Sequence, residues 1–163
     1  MLFRSDPVVM STLNMVATSA SAQALPMLIE IAKNSPNVKA RKDAIFWMSQ
    51  SRGDKDSVVD SLLGLSSNSD DADAVIFALS QIRTGKSFNA LATIAQDKNK
   101  TDAVRQSALF WISQSRSSQA AATLGNVASS DPDMEMRKQA VFWLEHMKTP
   151  EATQALENLL RRK

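Results

Sequence analysis

The sequence predicts an all-α fold, a right-handed α-α superhelix (solenoid) of about ten helices arranged in pairs. Three observations carry this. Four segments align without gaps: ARKDAIFWMSQSR (40–52), DAVIFALSQIR (73–83), VRQSALFWISQSR (104–116) and MRKQAVFWLEHMK (136–148), and their shared Phe46, Phe77, Phe110 and Phe142 recur every 31–33 residues. Segments with helical apolar spacing alternate with them, and no stretch shows the period-2 alternation of a strand. Finally, only 4 Gly and 5 Pro are present, too few for the turns of an all-β chain.

The elements follow in chain order. The stretch 7–19 reads as a degenerate second helix of a pair, with Asp6-Pro7 as its N-cap and first position. First helices are read from LPMLIEIA (25–32), VVDSLLGL (58–65), FNALATIA (88–95), AATLGNVA (121–128) and TQALENLL (153–160). Each holds an i, i+3 apolar pair: Leu28/Ile31, Leu62/Leu65, Leu91/Ile94, Leu124/Val127 and Leu156/Leu159. The four aligned segments are the second helices, such as 38–51 and 103–115, and are expected to line the inner face. Asp70, Asp102 and Asp133 stand near helix starts, and Thr149-Pro150 caps the last helix. Gly53 and Gly85 stand where a left-handed residue closes a helix. Arg52, Arg83, Arg116 and Lys148 fall at C-terminal turns, where a cation suits the helix dipole. The expected organisation is a single solenoid over 1–163. It has a half repeat at 7–19, full repeats at about 20–52, 55–83, 86–116 and 118–148, and a terminal half repeat at 150–161. Halves at both ends suit caps or a piece of a longer solenoid.

Composition narrows the function. With 19 basic and 17 acidic residues the charge is nearly balanced, which argues against a duplex-binding surface. The dense basic run Arg161-Arg162-Lys163 reads as a solvated helix end. There is no Cys, so disulfides, thiolate catalysis and Cys-ligated metals are excluded. The single His, His146, makes no zinc site by itself, and there is no nucleophile elbow, Walker loop or GxGxxG. The expectation is therefore no enzyme, no cofactor and no metal. No secretory signal and no apolar run of membrane-spanning length is present, which leaves the compartment open.

The repeat resembles HEAT repeats, specifically a short bacterial type similar to the phycobilisome-lyase HEAT-like repeats. The resemblance covers about residues 20–161. Val104-Arg105…Ala108…Ile112 and Met136-Arg137…Ala140…Leu144 match the family's Val-Arg-x-x-Ala-x-x-x-Leu second helix. Ala40-Arg41…Ala44…Met48 matches less strictly, and Pro26 sits where the family places a proline. The second repeat departs, with Ala72 in the Arg position, and the family's loop Asp is matched at Asp131. The resemblance implies that Ala140, Val141 and Leu144 face the core, that Trp143 packs toward a neighbouring repeat and that Phe142 lies on the inner surface.

Five adjacent apolar residues occur in each second helix, at 44–48, 75–79, 108–112 and 140–144, and five residues go right around a helix. Phe46, Phe77, Phe110 and Phe142 are accordingly either inter-repeat core or an apolar groove along the concave face, with rings about 10 Å apart. Trp47, Trp111 and Trp143 are expected in the core, and Ala78 in their position leaves a dip. Ser49-Gln50, Ser80-Gln81 and Ser113-Gln114 offer either a hydrogen-bonded ladder between repeats or polar contacts for an extended peptide. Lys42, Gln106 and Lys138 form a mildly basic edge, broken by Asp73, or an ordinary solvated face. The expected function is a non-catalytic scaffold that binds a protein or peptide, with Phe46, Phe77, Phe110, Phe142, Lys42, Gln50, Gln81, Gln114 and Lys138 as candidate contacts. The resemblance also brings two other readings: nucleic-acid binding, as in HEAT-like DNA glycosylases, and a subunit of a bilin lyase-type complex.

Overall fold

A computed structural model describes residues 11, 13–16, 23–66 and 70–161. All regular structure among them is helical, without a strand. The helices are α1 (Ala24–Asn34), α2 (Val38–Gln50), α3 (Lys55–Leu65), α4 (Ala72–Ile82), α5 (Gly85–Gln96), α6 (Asp102–Gln114), α7 (Ala120–Ser130), α8 (Met134–Met147) and α9 (Pro150–Arg161). Residues 11 and 13–16 are helical as well, but most of the half repeat expected at 7–19 and its Asp6-Pro7 cap lie outside the described residues.

The chain forms two compact units, with the boundary between Ser87 and Phe88. In the first, α1 pairs with α2 and α3 with α4, while α2 also packs on α4 and α1 on α3. In the second, α7 pairs with α8, α6 packs on α8, and α9 packs on both α7 and α8. Each unit is thus a sequential stack of helix pairs, with first helices in one layer and second helices in the other. The spacing of the buried side chains explains it. Ala44, Ile45 and Met48 of α2, which packs on α1 and α4, and Ala108, Leu109 and Ile112 of α6, which packs on α7 and α8, are all 0% exposed, because each second helix is covered from both layers.

Caps set the boundaries. Asn37, Asp54, Thr101 and Asp133 each accept a backbone N–H of the helix they precede. Thr84 and Ser87 form a reciprocal box, each side-chain oxygen accepting the other's N–H at 3.0 and 3.1 Å. Thr149 accepts from Ala152 N–H ahead of Pro150, as the sequence predicts. Pro26 falls in the first turn of α1, where a missing N–H costs little. The glycine expectation is corrected: no Gly has a positive φ, and the left-handed C-caps are Arg83 (φ 55°) and Lys148 (φ 50°). Gly85 instead begins α5, and α2 ends in Ser51 with extended backbone. The α2 C-terminus is held by Lys55, whose Nζ donates to Ser49 O (2.8 Å) and Ser51 O (2.6 Å). Burial there lowers the Lys55 pKa below the usual lysine value.

Two buried ion pairs tie successive second helices. Arg41 Nε of α2 donates to Asp71 Oδ2, at the start of α4, at 2.8 Å. Arg105 of α6 pairs through Nη2 with Asp131, ahead of α8, with both side chains at most 5% exposed. Asp131 Oδ1 also accepts Asp133 N–H. The first pair escapes the motif because its Asp abuts the helix rather than standing in the loop.

Candidate functional site

The second helices carry the candidate side chains, and each unit presents its own set. In the first unit, Phe46 and Phe77 are stacked, with ring centroids 6.3 Å apart and planes 14° from parallel. Phe77 is 38% exposed and Phe46 half-buried. In the second, Phe142 is 44% exposed and Phe110 half-buried. None of the four is core. The 10 Å ring spacing is corrected for Phe46 and Phe77, because side chains lean toward each other across helices whose axes are farther apart.

The tryptophans are also corrected: Trp47, Trp111 and Trp143 are half-buried rather than core. Each sits edge-on to the preceding Phe at 4.9–5.2 Å, so one edge of the indole stays outside the packed layer. Trp143 also meets Phe110 of the neighbouring second helix at 5.3 Å. In the first unit Ala78, itself buried, stands where Trp143 stands in the second, and Phe46 and Phe77 stack directly. The site is therefore a mixed Phe–Trp surface.

The Ser-Gln repeats do not form a ladder between helices among the described residues. Ser49, Ser80 and Ser113 Oγ donate to the carbonyls of Phe46, Phe77 and Phe110 at 2.6–2.7 Å. Gln50, Gln81 and Gln114 Nε2 donate in turn to those hydroxyls at 3.0–3.1 Å. A serine three residues after a carbonyl reaches it within one turn, so the local bond forms in preference to a cross-helix one. The network holds each Gln beside its Phe, with Gln50 and Gln114 exposed and Gln81 half-buried. In α8, His146 takes over: Nδ1–H donates to Phe142 O at 2.7 Å, and its ring lies 4.1 Å from the Phe142 ring.

Lys42 and Lys138 are exposed. Lys138 pairs with Glu135 at 2.8 Å on the same helix, which offsets the charge of a basic edge there. Gln106 is half-buried and Asp73 exposed. An open depression on α8 is lined by Met134, Arg137, Lys138, Val141, Phe142 and Glu145. Val141, expected in the core, is half-buried at its edge, while Ala140 and Leu144 are buried as expected. The sequence reading missed Met134 as a surface residue, although its place in the first turn of α8, outside the buried stripe, was a usable signal.

Among the described residues, no cluster of metal-ligating side chains occurs and no helix is long and apolar enough to cross a membrane. The family model for HEAT repeats matches residues 99–163, which include α6 to α9. No curated protein matches the chain.

Proposed function

We propose that the chain is a protein-binding scaffold in which each unit binds through the exposed side of its own second helices. Phe46, Phe77, Phe110 and Phe142 are its apolar anchors, and Gln50, Gln81, Gln114, Lys42 and Lys138 its polar contacts. The carrying observation is the exposure of Phe77 and Phe142, at 38% and 44%, although Ile76 and Leu79 beside the one and Leu144 beside the other are at most 1% exposed. Exposed aromatics at repeated positions are unfavourable in water and supply the anchors that dominate interface energy. The glutamines support the same reading. Each donates its amide N–H to the neighbouring serine, while its carbonyl oxygen has no donor among the described residues, so an incoming backbone N–H has an acceptor beside each ring.

The test is selection of peptides from a displayed library against the chain, followed by affinity measurement on Phe77→Ser and Phe142→Ser. Selected peptides carry apolar or aromatic anchors, and each substitution weakens binding at least about tenfold, equivalent to about 1.4 kcal/mol. Peptides that bind both variants as tightly as the parent overturn the assignment. So does salt-sensitive retention of duplex DNA in place of peptide binding.

A further inference from the structure

The open depression on α8 lies between two adjacent rows of that helix. Arg137, Val141 and Glu145 form one row, and Met134, Lys138 and Phe142 the other. Each row has the i, i+4, i+8 spacing of a helix ridge, so the depression is the furrow between two ridges. Its apolar side chains are open to water: Met134 is 57% exposed, Phe142 44%, and Val141 is half-buried.

The charges of the first row are uncommitted. Arg137 Nη1 donates to Asp131 O at 2.6 Å and to Pro132 O at 3.2 Å, which fixes the guanidinium. Its Nε and Nη2 have no acceptor among the described residues. The aligned Arg41 and Arg105 each hold a carboxylate, Asp71 and Asp131. At the other end of the row Glu145 is exposed and meets no cation among the described residues. Arg137 and Glu145 stand about 12 Å apart along the helix axis, too far to pair with each other. In the second row Lys138 is already taken by Glu135 at 2.8 Å. The furrow therefore offers a cation, an apolar centre and an anion in that order.

Spacing names the chain that complements it. The row advances about 6.0 Å for every four residues of helix. An extended chain turns alternate side chains to one face, about 6.6 Å apart. Three alternate residues of an extended segment thus fall in register with Arg137, Val141 and Glu145. The N–H and C=O groups of such a segment point sideways and stay hydrated in an open furrow, which suits a helix flank whose own carbonyls serve the helix. We infer that the furrow on α8 binds an extended segment of a partner protein with the pattern acid-x-apolar-x-base, in either chain direction. The acid sits on Arg137, the apolar side chain against Val141 and Phe142, and the base on Glu145. This rests on the reading of the second helices as the contact surface, and names the sequence class that the α8 surface takes.

Fluorescence anisotropy at low salt tests it, with a labelled, end-blocked peptide Gly-Gly-Glu-Ser-Leu-Ser-Lys-Gly-Gly and the chain at up to about 1 mM. The peptide binds. A counterpart with one extra Ser before the Lys turns that Lys to the far side and binds at least about fivefold more weakly. Arg137→Glu and Glu145→Arg each weaken the first peptide at least about fivefold. The two substitutions combined regain binding, because the furrow then carries both charges in reversed order and the peptide lies the other way round. That recovery separates a charge effect from a folding defect. A peptide that fails to bind, a double variant as weak as the single ones, or binding indifferent to the extra Ser overturns the inference. Binding lost in Phe142→Ser but untouched by either charge reversal overturns it too, while the reading of the second helices stands. That reading falls on its own result, when library-selected peptides bind Phe77→Ser and Phe142→Ser as tightly as the parent.

Discussion

Arg105 and Asp131 show most clearly what a single side chain does here. Both are almost fully enclosed, and each satisfies the other's charge across two helices. Removing one partner leaves a buried, uncompensated charge, so Asp131→Ala is expected to cost about 3–5 kcal/mol. Ser113→Ala, which removes one local bond to Phe110 O, should stay within about 1 kcal/mol of the parent. Urea melts of the two variants check the ordering, and equal midpoints would show that the pair contributes nothing beyond a surface contact. Trp111→Ala should fall below the about 3–5 kcal/mol of a fully buried large-to-small change, since the indole is half-buried. The same scale marks where the sequence was hard to read. Five consecutive apolar residues reveal that a second helix is surrounded, but not which of the five keeps an edge in water. That depends on the neighbour's side chain, Ala78 in one unit and Trp143 in the other.

At the scale of the helix, positions were legible and terminations less so. The aligned segments and apolar pairs predicted all nine named helices, because a buried stripe recurs at a period that only a helix satisfies. Glycine misled, since Gly53 and Gly85 need no positive φ, while Arg83 and Lys148 adopt one. Long side chains tolerate that conformation when the chain beyond is held, in both cases by a Thr-capped helix that follows directly. Asp54 shows a cap with a pH signature. Hydrogen bonds from the Ser57 hydroxyl, then from the Ser57 and Asp56 N–H groups, hold its pKa below the usual carboxylate value of 3.8. A depressed folded pKa means that the stabilisation is present above that value and is lost as pH falls through the folded pKa. Asp54→Ala should therefore melt lower than the parent at neutral pH, with the gap closing in acid below the ordinary carboxylate range. A gap unchanged down to that pH would show that the cap acts without its charge.

The two compact units bear on the molecule as a whole. Repeat stacks derive stability from nearest neighbours, and the second unit buries Leu109, Ile112, Leu124, Met136 and Leu144 to 0–1% exposure. Residues 85–163, which retain α5 entire, should fold alone with a helical spectrum and a cooperative melt. An unfolded fragment would show that this core is not self-sufficient. The repeat itself was readable from the Phe spacing, but the division at Ser87 was not, since the repeat period passes through it unbroken. The central claim, that partners are held by the exposed side of the second helices, is tested most directly by photo-crosslinking. A benzoylphenylalanine is placed at Phe77 or Phe142 and, on exposed first-helix positions, at Glu30 or Asn126. Selected peptides should crosslink at 77 or at 142 and at neither 30 nor 126. Crosslinking confined to 30 and 126 would put the binding surface on the first-helix layer and contradict the account.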